Sequence, residues 1–312
     1  MSSTGDQVYP FVFSTDSPLI PVYRTLERIR DNPTTVLIEG ESGTGKDAVA
    51  QWLHYNSPRK DAPFIKIDFS SLPEDLVESE LFGYERGAFT GAVASKLGKL
   101  DLAQGGSAVL DEISSVDLSI QAKLLNVVES KQFYRLGGTK SIEVDARIIA
   151  LSSMPLAKAV ERQIFRQDLF FRLNLITIRI PPLRERRGEL FPMAEFLLGQ
   201  LGRKYKTESS LHLDCRAIFD NYEFPGNIRE LRNGLERAML MGAGQEIRPE
   251  TFPPVWSSAP RSSTKMPSLE DMERTYIAEV LRQTRGKKVK AAKILGISRK
   301  TLLEKRKKYG LE

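Results

Sequence analysis

Short runs of β-branched and aliphatic residues, five or six long, recur through the first two-thirds of the chain, separated by longer polar-apolar stretches of helical period. TTVLI (34–38), FIKID (64–68), SAVLD (107–111), ARIIAL (146–151) and LITIRI (175–180) are the predicted strands. Strands alternating with helices predict a parallel sheet covered on both faces. The two prolines of PPLRERRGEL (181–190) end the last strand and mark a boundary. Residues 187–250 read as helices only, a small second lobe. TFPPVWSSAPRSSTKMPS (251–268) reads as a linker from its Pro and Ser content, and 269–312 as a helical, basic end. The expected domains are therefore an α/β body over 1–186, a helical lobe over 187–250, a linker over 251–268 and a terminal domain over 269–312.

Composition narrows the class. With 312 residues, 41% hydrophobic and 28% charged, the chain can bury a core in two or three domains, and wholesale disorder is excluded. One cysteine, Cys215, excludes an internal disulfide framework, and with two histidines a structural zinc site is implausible. The N-terminus lacks the layout of a secretory signal, and no apolar run is long enough to cross a bilayer, so a cytoplasmic protein without membrane contact is expected. Eleven Lys or Arg against two Glu between Arg285 and Glu312 exceed the net charge of +6 for the whole chain, so the rest is net acidic. A basic end on an acidic body reads as a nucleic-acid contact or as solvated charge.

The chemistry begins after the first strand. Gly40-Glu41-Ser42-Gly43-Thr44-Gly45-Lys46 lies between that strand and a helix starting near Lys46, the setting of a phosphate-binding loop. Its glycines let backbone N–H groups wrap the phosphates of ATP, and Lys46 reaches the β- and γ-phosphates. Asp47 stands where the general motif has a Ser or Thr hydroxyl for Mg²⁺. Some 65 residues later, Asp111 and Glu112 emerge at the C-terminal end of an apolar strand. Asp111 is assigned to Mg²⁺ through water, and Glu112 to the attacking water as general base. IFRQDLFFRLN (164–174) carries Arg166 and Arg172, cations of the kind an adjoining subunit lends to a γ-phosphate; the alternative is surface salt bridging. Arg229, in the first turn after Pro225-Gly226, is placed to sense nucleotide across a cleft.

GYERGAFTGA (83–92) does not belong to a core: Phe89 and Thr90 stand between Gly87-Ala88 and Gly91-Ala92, one aromatic in a flexible tip that touches something else. At the far end, Ala291, Ala292 and Leu295 form an apolar face, Gly296 allows a turn, and Ser298 caps a second helix. This helix-turn-helix places Arg299, Lys300 and Lys305 toward DNA, with Ser298 at the helix start.

GESGTGK, ESELFGYERGAFTGA, VLDEI, FRQDLFFRLN, PPLRER and FPGNIRELRN, in that order, resemble the AAA+ activators of RNA polymerase carrying sigma-54, the bacterial enhancer-binding proteins. The resemblance covers roughly residues 15–250 and resumes at the tail, which is similar to a Fis-type DNA-binding domain. It implies an AAA+ P-loop fold with a helical lid, ATP hydrolysis with Mg²⁺, and a hexameric ring. It assigns Gly87–Ala92 to sigma-54 contact with Phe89 and Thr90 at the tip, Arg166 and Arg172 to trans-acting arginine fingers, and Arg229 to sensor II. In the family Glu usually stands at the place of Asp47. Two positions depart: Asp68 replaces the Asn that restrains the catalytic Glu, and Ser153 stands at sensor I, both expected to sense nucleotide state. The layout looks like the short Hrp regulators of type III secretion genes, with no receiver domain to admit a signal. Control is then expected through expression, a paralogous co-activator or an inhibitory anti-activator protein. Two other classes remain: a protein-remodelling AAA+ chaperone, which leaves the tail unexplained, and a DNA-binding regulator with a weakened ATPase.

Overall fold

The computed structural model describes residues 14–242, 246–258, 269–284 and 287–310. The chain divides into two units, Met1–Ala259 and Pro260–Glu312, each described by itself.

Five parallel strands form the central sheet: β1 (Val36–Glu39), β2 (Phe64–Asp68), β3 (Ser107–Asp111), β4 (Arg147–Ser152) and β5 (Thr177–Arg179). Their order is β2-β3-β4-β1-β5. Every residue of β1, β3 and β4 is buried, because helices cover both faces, and this produces the unbroken apolar runs seen in the sequence. One face buries Leu37, Leu110, Ile148 and Ala150 under helices that carry Leu81, Leu124 and Leu169. The other buries Val36, Ile38, Val109 and Ile149 under helices that carry Leu26, Val49 and Leu53. The expected strands are thus found to within two residues at each end. The chain order 5-1-4-3-2 puts the C-terminal ends of β1, β3 and β4 side by side, where ligands bind in open α/β sheets.

The second lobe has its own core around helices Leu190–Tyr205, Cys215–Asn221 and Asn227–Met241. Leu183 is already part of it, and the buried Arg186–Glu189 pair, 3.5 Å apart, spans the boundary expected at residue 186. Two findings correct the sequence expectation. The lobe is not helices only: Ser210–Leu211 pairs in parallel with Glu246–Ile247. The first half of the expected linker is also structured, since Pro254–Ser258 is helical and Phe252 and Trp256 are buried in the lobe's core. Trp256 lies on Gly234, where a Cβ would collide with its ring. Residues 259–268 of that linker lie outside the described residues.

The C-terminal unit contains helices Leu269–Gln283, Lys288–Leu295 and Arg299–Tyr309 around Ile277, Val280, Ala291, Ala292 and Leu302. Gly296 ends the middle helix at φ +67°, a backbone state a side chain disfavours, and the Ser298 hydroxyl accepts from the Thr301 N–H at 3.0 Å. The turn is built as the sequence implied. Among the described residues no helix is long and apolar enough to cross a membrane.

Candidate active site and contact loop

The phosphate loop leaves β1 at Gly40 and enters helix Lys46–Tyr55 through Gly45, whose φ of +99° aims the first N–H groups of the helix into the loop. Lys46 is buried, and its ammonium donates to the Gly40 and Glu41 carbonyls at 2.7 and 3.2 Å. Burial lowers its pKa below the usual lysine value, and Glu112, 3.9 Å away, opposes that shift. A lysine held against loop carbonyls in a desolvated site is positioned for phosphate oxygens.

Asp111 ends β3 buried, and Glu112 follows at φ +53°, a costly backbone for a non-glycine residue. That conformation turns its carboxylate toward the end of β4. There Ser153 donates twice to Glu112 Oε2, from its backbone N–H at 3.2 Å and its Oγ at 2.7 Å. Asp68, which stands where the family has the restraining Asn, accepts from the N–H and Oγ of Ser70 at 3.0 and 2.7 Å. The residue that grips Glu112 is at the sensor I position, not on β2.

Lys66 on β2 was not singled out by sequence. Its ammonium lies 2.6 Å from Asp111 Oδ2 and 2.5 Å from Asp47 Oδ1. Burial lowers the Lys66 pKa, but the hydrogen bonds to Asp111 and Asp47 outweigh it and leave the group above the usual lysine range. Burial raises the Asp111 carboxyl, and Lys66 opposes this without cancelling it. Two carboxylates converging on one cation are a hard-oxygen donor set, which fits Mg²⁺ completed by phosphate oxygens.

The lid closes on the loop through main chain and side chain. The Ile228 N–H donates to the Gly43 carbonyl at 2.9 Å, and a Cβ on Gly43 would collide with the Gly226 carbonyl. Buried Asn227 donates to the Ser42 carbonyl at 3.0 Å and accepts from the Leu183 N–H at 2.8 Å. Arg229 reaches Ser42 Oγ at 2.8 Å, so the expected sensor II arginine touches the loop itself. Glu41 receives both Arg184 terminal nitrogens, at 2.6 and 2.8 Å, and that pairing holds its carboxyl below the usual range. Thr44 is buried, its hydroxyl donating to the Glu41 carbonyl at 2.8 Å. Glu41, Asn227 and Arg184 carry the docking and were legible only as members of motifs.

Arg166 and Arg172 stand on or just before helix Gln167–Leu173 and engage Asp168 and Glu129, not the phosphate loop of their own chain. Both lie on a surface that also shows Phe171 and Leu175, 62% and 69% exposed.

The contact loop rises from an antiparallel pair, Gly83–Tyr84 with Lys96–Leu97. Positive φ at Gly87 (+85°) and Gly91 (+104°) folds it, and the Gly87 N–H donates to the Ala92 carbonyl at 2.9 Å to close a small ring of backbone. Phe89 is 47% exposed with its ring edge-on to Tyr84 at 5.0 Å, Thr90 is exposed, and Ala92 is buried. At the base, Arg135 from a second hairpin bridges Glu85 and Asp101 at 2.9 and 3.0 Å. A Cβ on Gly137 of that hairpin would press on Ala88.

In the C-terminal unit Ser298, Arg299 and Lys300 are exposed at the start of the last helix. Lys305, expected with them, is half-buried and its ammonium pairs with Glu273 of the first helix in the unit.

A phosphate-binding loop under a lid, a carboxylate held from the end of β4 and a glycine-bounded aromatic loop define an AAA+ P-loop body. Residues 12–179 match the Sigma-54 interaction domain, 184–268 the AAA+ ATPase lid domain, and 268–309 the Fis family of bacterial regulatory proteins. The chain belongs to the sigma-54-dependent transcription activators. It is 39% identical over 320 residues to the DNA-binding transcriptional regulator NtrC of Salmonella typhimurium, covering 93% of this chain and 68% of that one. It is 38% identical over 318 residues to the nitrogen fixation protein VnfA of Azotobacter vinelandii, covering 99% and 61%. Among solved structures, NtrX of Brucella abortus in complex with ATP superposes with a TM-score of 0.74 at 29% identity, covering 96% of this chain and 70% of that one.

Proposed function

We propose that this chain hydrolyses ATP with Mg²⁺ at the junctions of a hexameric ring and uses the cycle to drive its Gly87–Ala92 loop against sigma-54, opening promoters from an upstream DNA site. The observation that carries the reading is Glu112, held by Ser153 within 3.9 Å of a buried phosphate-loop lysine. Lys46 and Arg229 bind the phosphates, Glu112 takes the proton of the attacking water, and Asp111 with Asp47 holds the metal. Bound Mg²⁺ neutralises phosphate-oxygen charge. Arg166 and Arg172, engaged away from their own loop, are supplied to the neighbouring subunit's nucleotide. Tyr84 and Phe89 couple the loop tip to its stem, and Thr90 offers the tip's hydroxyl. Arg299 and Lys300 contact DNA from the start of the last helix. The ring is formed by this chain alone or with a paralogous co-activator, in the cytoplasm, and is controlled through expression, that co-activator or an anti-activator protein. Type III secretion genes as targets rest on the resemblance to short Hrp regulators.

The test is ATP-dependent open-complex formation by sigma-54 RNA polymerase with wild type and Thr90→Ala, with and without a co-activator. Wild type is expected to open the promoter, while Thr90→Ala hydrolyses ATP without opening it. Failure of wild type at every sigma-54 promoter, partner present, overturns the reading in favour of a remodelling chaperone.

A further inference from the structure

Lys66 has no role in the phosphate chemistry assigned above, yet both acidic groups offered to the metal are bound to it. It projects from β2, which runs beside β3 with Lys66 level with Val109 and Asp68 level with Asp111. From there its four-carbon stem crosses to Asp111 Oδ2 at 2.6 Å and Asp47 Oδ1 at 2.5 Å. These are charge-assisted hydrogen bonds of the short, strong kind. The side chain is 36% exposed, so the ammonium has an open route to water when it leaves.

The charges around the loop explain why this contact has a consequence. Lys46 and Arg229 are bonded to the phosphate loop, at the Gly40 carbonyl and Ser42 Oγ, and Glu112 is occupied by Ser153. Asp47 and Asp111 are then the carboxylates left for a divalent ion, and Lys66 neutralises both. A metal arriving with nucleotide meets either a resident cation at van der Waals range or the loss of two strong hydrogen bonds. Both reduce its affinity. With no metal present the same ammonium shields the phosphates from the two carboxylates and favours nucleotide.

We propose that Lys66 is a tethered counter-cation that competes with the nucleotide's divalent metal ion for Asp111 and Asp47, and so sets the metal concentration at which the site fills. The proposal rests on the reading of Asp111 as a metal-site residue. Lys66 is a positioning residue, acting on the metal through the two carboxylates.

The experiment titrates Mn²⁺ against the full chain with ADP, counting free ion by its electron paramagnetic resonance signal, for wild type, Lys66→Met and Lys66→Arg. A fluorescent ADP analogue is titrated in parallel in chelator. No hydrolysis is needed for either readout. Lys66→Met is expected to bind Mn²⁺ about tenfold tighter, within the usual coupling between two sites, and metal-free ADP several-fold more weakly. Lys66→Arg is expected to stay within about twofold of wild type in both, since it keeps the charge. Opposite signs separate competition from damage, because a misfolded variant loses both ligands. Unchanged or weaker Mn²⁺ binding by Lys66→Met overturns the proposal, as does Lys66→Arg behaving like Lys66→Met. If neither wild type nor variants bind Mn²⁺ while all bind ADP, the metal assignment of Asp111 falls, and this inference with it.

Discussion

Ser153 grips Glu112 with two donors on one oxygen, the backbone N–H at 3.2 Å and Oγ at 2.7 Å. The backbone donor survives Ser153→Ala and the hydroxyl does not. Glu112 then keeps its place but loses the contact that fixes its rotamer. Ser153→Ala is expected to lower kcat for ATP about tenfold with little change in KM, a fraction of the 10²–10⁴ usually assigned to a general base. Glu112→Gln is expected to lose that full range while still binding ATP. Steady-state hydrolysis with nucleotide binding measured separately checks both, and a change in KM alone contradicts the role.

Docking of the lid on the phosphate loop predicts an ordering of two substitutions. Arg184–Glu41 is a half-exposed pair, worth at most about 1 kcal/mol. Asn227 is buried and serves the Leu183 N–H and the Ser42 carbonyl, and its own φ is +53°. Asn227→Ala strands two backbone groups and puts alanine in a left-handed conformation, for about 2–4 kcal/mol. Urea unfolding of Arg184→Ala and Asn227→Ala should show Asn227→Ala the more damaging by at least about 1 kcal/mol. The reverse order contradicts the assignment of Asn227 as the main tie.

For the C-terminal unit, Lys300 and Lys305 are expected to differ. Lys300 is exposed at the start of the last helix, whereas Lys305 is spent on Glu273. Lys300→Ala should weaken DNA binding at all sequences and reduce the slope of log K against log salt by about one. Lys305→Ala should leave that slope within error and lower the melting point of the unit instead. Fluorescence anisotropy at several salt concentrations, with thermal melts, distinguishes them.

Cys215 is 0% exposed in the lid core, and its thiol donates to the Ile247 carbonyl at 3.3 Å. Burial pushes its pKa from 9.0 to about 11. A raised folded pKa stabilises the lid fully below about 9 and loses that contribution as pH climbs toward 11. The amount is on the order of 2 kcal/mol. The expected result is slow alkylation of native protein at pH 8, fast alkylation in urea, and a denaturation midpoint that falls between pH 9 and 11. In Cys215→Ala that fall should shrink. Rapid labelling of folded protein at pH 8 contradicts the burial.

The sheet was readable because burial on both faces leaves the apolar runs VLI, AVL and IIAL unbroken in β1, β3 and β4. The phosphate loop and the contact loop were readable because glycine at set spacing has few other uses. Lys66 was not, since nothing in FIKID says that its third residue reaches across to Asp47 and Asp111. Pairings between distant charges leave no local pattern. Residues 251–258 misled through their prolines and serines, although Phe252 and Trp256, now stacked 5.1 Å apart, were the two groups a linker has no reason to carry. Lys305 shows the same limit: counting positive charges on a helix does not tell which one its own domain consumes.

The stem of the contact loop crosses itself at Gly83 and Gly98, where a Cβ on either residue would strike the other segment's backbone. The two backbones pass there in direct contact. The segment from Tyr84 to Lys96 projects from that crossing and is tied at its base through Arg135 to Glu85 and Asp101. The reach of Phe89 from the sheet is therefore set by the length of this segment as much as by its residues. Lengthening or shortening that segment would change where the tip stands without altering a single residue of the phosphate loop.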